Sequence, residues 1–462
     1  MSTNAMQCFY TGKDPNSIPI YVLLRADCES WKLGQDEFVQ NWLQAIDFKT
    51  VPNHPLSIPG PDGHLHSVLV IAERENPIWA LGNCPRLLPA GKYHIADTAN
   101  AADPDSYLLG WGMGAYQYAR YRKENRGVCR LSIDCARDHL QIEALLDAVT
   151  TVRDLVNTPT SDMSPQNLYE YVQSSMLDFD IELTECAGAK LLEENCPLIH
   201  AVGRASVHQP RLIEWKWGKE GHARVVLVGK GVTFDSGGLN IKTAQGMRLM
   251  KKDMGGAAHV IGIARAVMKL NLPVRLHVMV PAVENAISGD AYHPGDVLIS
   301  RSGKTVEVED TDAEGRLILC DAISKAVESS PDLVLDFATL TGAARVALGT
   351  EVPVFFTNDS TIAEKLAAAA RFVNDPVWQL PLHTPYRYLL NSDIADISNC
   401  SSSGFGGAIT AALFLNEFVP DTTRWLHFDM MAWNTRDRSG RPKGGEAMGL
   451  RATIRFLQER YS

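Results

Sequence analysis

Between Val308 and Asp321 the chain reads VEDTDAEGRLILCD, which sets Asp310, Asp312 and Glu314 on alternate residues just before Gly315 and Arg316. Carboxylates this close repel one another unless a cation lies among them or all of them face water. The stretch is therefore a metal loop or a solvated acidic turn. Asp310, Asp312, Glu314, Gly315 and Asp321 also fall on positions 1, 3, 5, 6 and 12 of an EF-hand calcium loop. An EF-hand, however, needs an entering helix. VLISRSGKTVEVE instead carries a Ser-Gly turn and the alternation of Val306 and Val308, which predicts a strand. Downstream, Leu317, Leu319, Ala322, Ile323, Ala326 and Val327 keep the helical period until Pro331. Strand, polar loop and helix in that order place the carboxylates at the carboxyl end of a strand, where open α/β sheets bind their ligands.

Two further stretches have the same character. In VVLVGKGVTFDSGGLNIK an apolar strand runs into Gly229, Lys230 and Gly231, and Asp235 precedes Gly237 and Gly238. Lys and Asp are seldom buried unless paired, so the choice is between a surface salt bridge and a held ligand. No GxxxxGK[ST] occurs, which excludes a Walker loop, and no GxSxG elbow surrounds Ser236. In MRLMKKDMGGAAH, Asp253 stands at the mouth of a helix and, alone, reads as an N-terminal cap. Together the loops offer Asp235, Asp253, Asp312, Glu314 and Lys230 with no His or Cys among them. Such a carboxylate-rich set suits two divalent ions sharing bridging ligands, Mg or Mn as readily as Zn. The histidines are dispersed and form no HExxH or HxxxH pair.

These loops need a scaffold, and 462 residues are more than one core usually serves, so two domains are expected. We expect an α/β protein: a small α/β N-terminal domain over residues 1–137, with one helix in GWGMGAYQYARYRKE. Residues 138–160 read as a connecting helix, and 161–462 as a larger catalytic di-metal domain with a mixed sheet flanked by helices. With 45% hydrophobic and 21% charged residues the composition is that of a globular chain. A net charge of -10 argues against general nucleic-acid binding. Nine scattered cysteines without a CxxC pair fit a reducing compartment. The start, MSTNAMQCFYTGKDPNS, has no basic segment followed by an apolar run, and no run of 18 apolar residues occurs, so a cytoplasmic protein without a membrane span is expected.

Residues 310–317, DTDAEGRL, resemble the signature of the leucyl aminopeptidases (cytosol aminopeptidases), Asn-Thr-Asp-Ala-Glu-Gly-Arg-Leu. GKGVTFDSGG, KKDMGGAAH, AYHPGDV, DFATLTGAARVALG and GGAITAALFLNEFV resemble family segments in family order, so the likeness covers about residues 157–450. The resemblance implies one metal held by Lys230, Asp235, Asp253 and Glu314, and a second by Asp235, Asp312 and Glu314. It implies a neutral, metal-bound amine at Lys230, with its pKa depressed. Lys242 takes the place of the family's catalytic lysine and Arg316 that of the arginine holding a bicarbonate. Gly315 is then assigned to the turn, and Met250, Thr339, Leu340 and Gly342 to the pocket for the first side chain, favouring leucine or another apolar residue. The implied reaction is removal of the N-terminal residue of a peptide by a water acidified between two ions, Mn or Zn with Mg as a further option. A homohexamer is also implied.

Two departures stand out. Asp310 replaces the usual Asn, which adds a charge that Lys251 or Lys252 is placed to neutralise, and DMMAWNTRDRSGRPKGGEAMGLRA departs from the common family tail. Two competing readings keep the scaffold without this chemistry: a DNA-binding or regulatory protein, which the acidic balance opposes, and an inactive assembly component, which the filled metal and catalytic positions oppose.

Overall fold

The computed structural model describes residues 5–96, 104–122 and 127–462. The chain divides into two compact units, one of residues 1–150 with 435–443, the other of 151–434 with 444–462.

The first unit is built on a six-stranded sheet. Its strands are β1 (Phe9–Tyr10), β2 (Ile18–Leu24), β3 (Leu56–Pro59), β4 (Leu65–Ala72), β5 (Gly91–Ile95) and β6 (Cys129–Ser132), in the order β1-β6-β5-β2-β4-β3. All neighbours are parallel except β3, which runs antiparallel to β4. The helix expected in GWGMGAYQYARYRKE runs instead over Pro104–Ala115, starting earlier and stopping before Tyr116. Its glycines explain the placement. A Cβ on Gly110 would stand 1.8 Å from the Ile78 carbonyl oxygen, and one on Gly114 1.9 Å from that of Gly82, so only glycine allows this backbone approach. Residues 123 and 124 of that stretch lie outside the described residues.

The expected boundaries of 137/138 and 160/161 fall around the helix His139–Asn157. Residues 435–443, expected in the catalytic domain, belong to the first unit. Within it Ser439 Oγ donates to the Trp79 carbonyl at 2.5 Å, the Arg441 guanidinium lies 4.1 Å from the Trp79 ring centre, and Arg86 pairs with Asp437 at 3.0 Å. Nothing in TRDRSGRPK announces this, because the segment is held by polar and cation–π contacts rather than by an apolar stripe.

In the second unit the strands are β7 (Glu182–Ala187), β8 (Arg211–Trp217), β9 (Ala223–Gly229), β10 (Gly231–Asp235), β11 (Val274–Asn285), β12 (Val297–Ile299), β13 (Thr305–Glu307), β14 (Leu333–Ala338), β15 (Val354–Thr357), β16 (Trp378–Gln379), β17 (Ile397–Ser398) and β18 (Trp425–Asp429). A nine-stranded mixed sheet has the order β16-β15-β18-β14-β9-β11-β8-β7, with β10 paired to β11. The centre, β11, β9, β14 and β18, is parallel, and β8 and β15 enter antiparallel.

Alternation along β9 sorts its side chains between the faces. Val226 and Val228 join the core formed by Leu317, Ile318 and Ile323 of the helix Glu314–Val327. The opposite face meets the helix Gly255–Lys269, where a Cβ on Gly229 would stand 2.5 Å from Val260 Cγ2. With both faces covered, Val225 through Val228 are fully buried. Each such side chain contributes about 1.5–3 kcal/mol of burial free energy. The apolar ends of β9 and β14 thereby hold the polar loops that follow them in fixed register. Among the described residues no helix is long and apolar enough to cross a membrane.

Candidate metal centre

Three loops converge at the carboxyl ends of the central strands. Lys230 follows β9, Asp235 ends β10, Asp253 lies in the short turn Met250–Met254, and Asp312 and Glu314 close the loop leading into the helix Glu314–Val327. Oxygens of Asp235, Asp312 and Glu314 all lie within 4.8 Å of one another. Lys230 Nζ lies 2.7 Å from Asp253 Oδ2 and 2.8 Å from Glu314 Oε1. Lys242 Nζ lies 2.7 Å from Asp235 Oδ2 and also pairs with Asp312. The seven residues expected to act as ligands or catalytic groups are thus gathered except for Arg316, which sits in the first turn of the helix and donates to the Asn399 carbonyl at 2.7 Å.

Glycine makes the deep part of this arrangement possible. Gly315 does not act as a turn residue; it lies in the first turn of a helix, and its role is space. A Cβ there would stand 2.5 Å from Lys230 Cε and 2.7 Å from its Nζ. Gly237 and Gly238 supply the left-handed backbone of the neighbouring loop, at φ +87° and +61°.

The loops are pinned by residues to which the sequence reading gave no role. Asn285 Nδ2 donates to Asp235 Oδ1 at 2.9 Å and to the Thr311 carbonyl at 3.0 Å, and Tyr292 donates to that same carbonyl at 2.7 Å. Thr311 Oγ1 donates to the Gly237 carbonyl at 2.7 Å. Asn399 Oδ1 accepts from Glu309 N at 2.9 Å, and its Nδ2 returns a bond to the Asp310 carbonyl at 2.7 Å. Tyr292 and Thr311 lie inside the quoted segments AYHPGDV and DTDAEGRL, but a single Asn, Tyr or Thr has no spacing signal of its own, so the sequence reading missed the role of all four. Asp253, in turn, is not a helix cap: the capping position is Met254, and the Asp253 carboxylate accepts from Thr339 Oγ1 at 2.7 Å.

Electrostatics follow from burial and crowding. Burial and then the charge of Asp235 push Glu314 up to about 8 and Asp312 up to about 6. Burial works against the Lys230 ammonium, but Asp253, Glu314 and Asp235 outweigh it and push its pKa up. This is opposite to the depression expected of a metal-bound amine, because the carboxylates around it outweigh burial; a dication beside the amine would oppose its charge. Burial pushes Lys252 down to about 8. Asp310 does not pair with either expected lysine. Lys251 Nζ donates to the Asn157 carbonyl at 2.5 Å, Lys252 lies 3.8 Å from Asp253 Oδ1, and Asp310 Oδ1 accepts from Asp312 N at 2.8 Å.

The donor set fits divalent metal. Glu314 Oε2 is buried with no hydrogen-bond partner among the described residues, and such an orphaned oxygen is explained by an ion it would bind. Oxygen donors with one amine suit Mn, Zn or Mg. The EF-hand alternative fails: Asp321 points elsewhere, accepting from Leu198 N and Arg301 N at 2.8 Å each. Of the expected pocket residues, Thr339 touches Asp253, Leu340 N donates to Asp429 Oδ1 at 3.0 Å, Gly342 opens the helix Gly342–Leu348, and Met250 is buried beside Asp253 in the same short turn.

Known proteins share this framework. Residues 150–454 match the cytosol aminopeptidase family, catalytic domain, and residues 18–134 match the M17 aminopeptidase, N-terminal domain. The chain is 37% identical over 391 residues to the probable cytosol aminopeptidase of Roseiflexus castenholzii, covering 81% of this chain and 79% of that one. It is 41% identical over 319 residues to the probable cytosol aminopeptidase of Rhodopirellula baltica, covering 68% of this chain and 63% of that one. The crystal structure of cytosol aminopeptidase from Coxiella burnetii superposes with a TM-score of 0.94 at 44% identity, over 98% of this chain and 100% of that one. The bottromycin maturation enzyme BotP in complex with Mn does so with a TM-score of 0.87 at 30% identity, over 97% of this chain and 100% of that one. The chain belongs to the cytosol aminopeptidase family of metal-dependent peptidases.

Proposed function

We propose that the protein removes the N-terminal residue from peptides, accepting leucine and other apolar first residues, with two divalent ions held by Lys230, Asp235, Asp253, Asp312 and Glu314. The observation that carries this reading is the cluster of four carboxylates and two lysines around the orphaned Glu314 Oε2. Two bound ions supply Lewis-acid polarisation of the first peptide carbonyl, a nucleophilic water at neutral pH and a docking point for the substrate's free α-amine.

The chain's own residues do the rest. Lys242 holds its ammonium proton firmly, because Asp235 and Glu314 outweigh burial, so it serves as a charged donor to the developing oxyanion. Arg316 is buried with its Nε unpartnered among the described residues, which suits a small anion such as bicarbonate as proton carrier. Met250, Thr339, Leu340 and Gly342 line the pocket for the first side chain. Mn or Zn, a homohexamer and a cytoplasmic location complete the proposal.

The test is hydrolysis of leucine p-nitroanilide by purified protein after EDTA treatment, and again after separate addition of Mn, Zn or Mg. Activity lost to chelator and restored by one of the metals is the expected result. No activity with any of them, in protein shown to be folded, would overturn the reading.

A further inference from the structure

We propose that the first-residue pocket also takes an acidic side chain, whose carboxylate is held by Lys252 and Arg345. The proposal rests on the aminopeptidase reading above and deepens it by naming a second substrate class for the same pocket.

Lys252 is buried, at 1% exposure, yet its ammonium makes no hydrogen bond among the described residues. Its one ion-pair partner among the described residues, Asp253 Oδ1, lies 3.8 Å away, beyond hydrogen-bond reach. That oxygen already accepts from Thr339 Oγ1 at 2.7 Å, and the other oxygen of Asp253 is taken by Lys230 at 2.7 Å. A buried ammonium in this position is costly unless an anion comes to it.

Arg345 has a matching need. Its Nη1 donates to a weak acceptor, Met431 Sδ, at 3.1 Å, and no carboxylate among the described residues pairs with it. Its Nη2 lies 3.4 Å from where a Cβ on Gly342 would stand. Lys252 thus lies beside the carboxylate that Thr339 touches and Arg345 lies over Gly342, and Thr339 and Gly342 are two of the residues proposed to line the pocket. Met250 and Met431 add apolar surface for a methylene stem. Glutamate, with two methylenes and a terminal carboxylate, has both parts.

Glutamine is the isosteric control. The measurement is kcat/KM for glutamate, glutamine and leucine p-nitroanilides with the Mn-loaded enzyme, its Lys252→Met variant and its Arg345→Gln variant. Charge-assisted bonds to one carboxylate predict a wild-type preference for glutamate over glutamine of about 10-fold or more. Lys252→Met should lower that ratio about 10-fold and Arg345→Gln, at a half-exposed position, about 3-fold. If Lys252→Met does not fold, the wild-type ratio and Arg345→Gln decide. Leucine release with a wild-type glutamate-to-glutamine ratio near one, or a ratio moved by neither variant, would overturn this inference alone. No release from any of the three substrates would overturn the aminopeptidase reading and this inference with it.

Discussion

The site has a deep half and an outer half, each with a lysine between two carboxylates, and they differ in burial. In the deep half the side chains of Lys230, Asp253 and Glu314 are 3%, 3% and 1% exposed. In the outer half Lys242 is 16% and Asp312 32% exposed, while Asp235, at 3%, is as buried as the deep residues. The deep lysine is locked by contact geometry, with Gly315 leaving room for its shaft and the helix Gly255–Lys269 pressed so close that a Cβ on Gly256 would stand 2.7 Å from Lys230 N. The outer lysine lies on a glycine-hinged loop. The same pair of residue types can therefore do two jobs, a fixed ligand set in one place and a donor able to meet substrate in the other.

The difference predicts unequal responses to substitution. The largest effect is expected from Glu314→Gln, which alters the carboxylate shared by both halves. Turnover should fall about 10³-fold or more with loss of bound metal, measured by steady-state kinetics and by metal analysis of the dialysed protein. Lys242→Ala should lower kcat by about 10²- to 10³-fold while metal content stays at the wild-type level, which separates the outer donor from the deep ligands. Equal metal loss in both variants would erase the distinction.

Acid should act beneath the deep half. His259 is fully buried, its Nδ1 donating to the Gly255 carbonyl at 2.6 Å and its Nε2 accepting from Met448 N at 2.9 Å. Burial pushes its pKa down from 6.5 to about 4. The neutral ring is thus favoured in the folded state, and between those two values the unfolded chain binds the extra proton. Its contribution is complete above pH 6.5 and is lost as pH falls toward 4, by about 3 kcal/mol in all. Urea unfolding of wild type and His259→Gln across that range should show a steeper loss in the wild type.

Gly315→Ala should weaken metal binding about 10- to 100-fold, because the added methyl displaces the shaft of Lys230; competition with a chelator measures it. The smallest effect is expected of Asp310→Asn in the outer half. Asn retains the side-chain oxygen that Asp312 N uses, so thermal or urea unfolding should place its stability within about 0.5 kcal/mol of wild type.

Much of the deep half was legible because its parts sit on strongly patterned elements. The apolar run at Val225–Val228 and the helical period from Leu317 to Val327 announce a strand end and a helix start, and Lys230 and Glu314 lie at those junctions. The supports were not legible. Asn285, Tyr292, Thr311 and Asn399 act through side-chain hydrogen bonds to backbone or carboxylate, and an isolated polar residue leaves no period to read. Gly315 was legible as a glycine and misread in purpose, since its constraint is a side chain 85 positions away in sequence rather than its own backbone. Residues 435–443 were misplaced for a similar reason, their partners Trp79 and Arg86 being remote in the chain.

The central claim is that two ions share Glu314. Crystals of the protein loaded with Mn, measured at the Mn absorption edge, test it directly. The account predicts two anomalous peaks, one against Lys230, Asp253 and Glu314 and one against Asp312, with Asp235 and Glu314 touching both. A single peak, or a pair that leaves the Glu314 carboxylate uncoordinated, would contradict it.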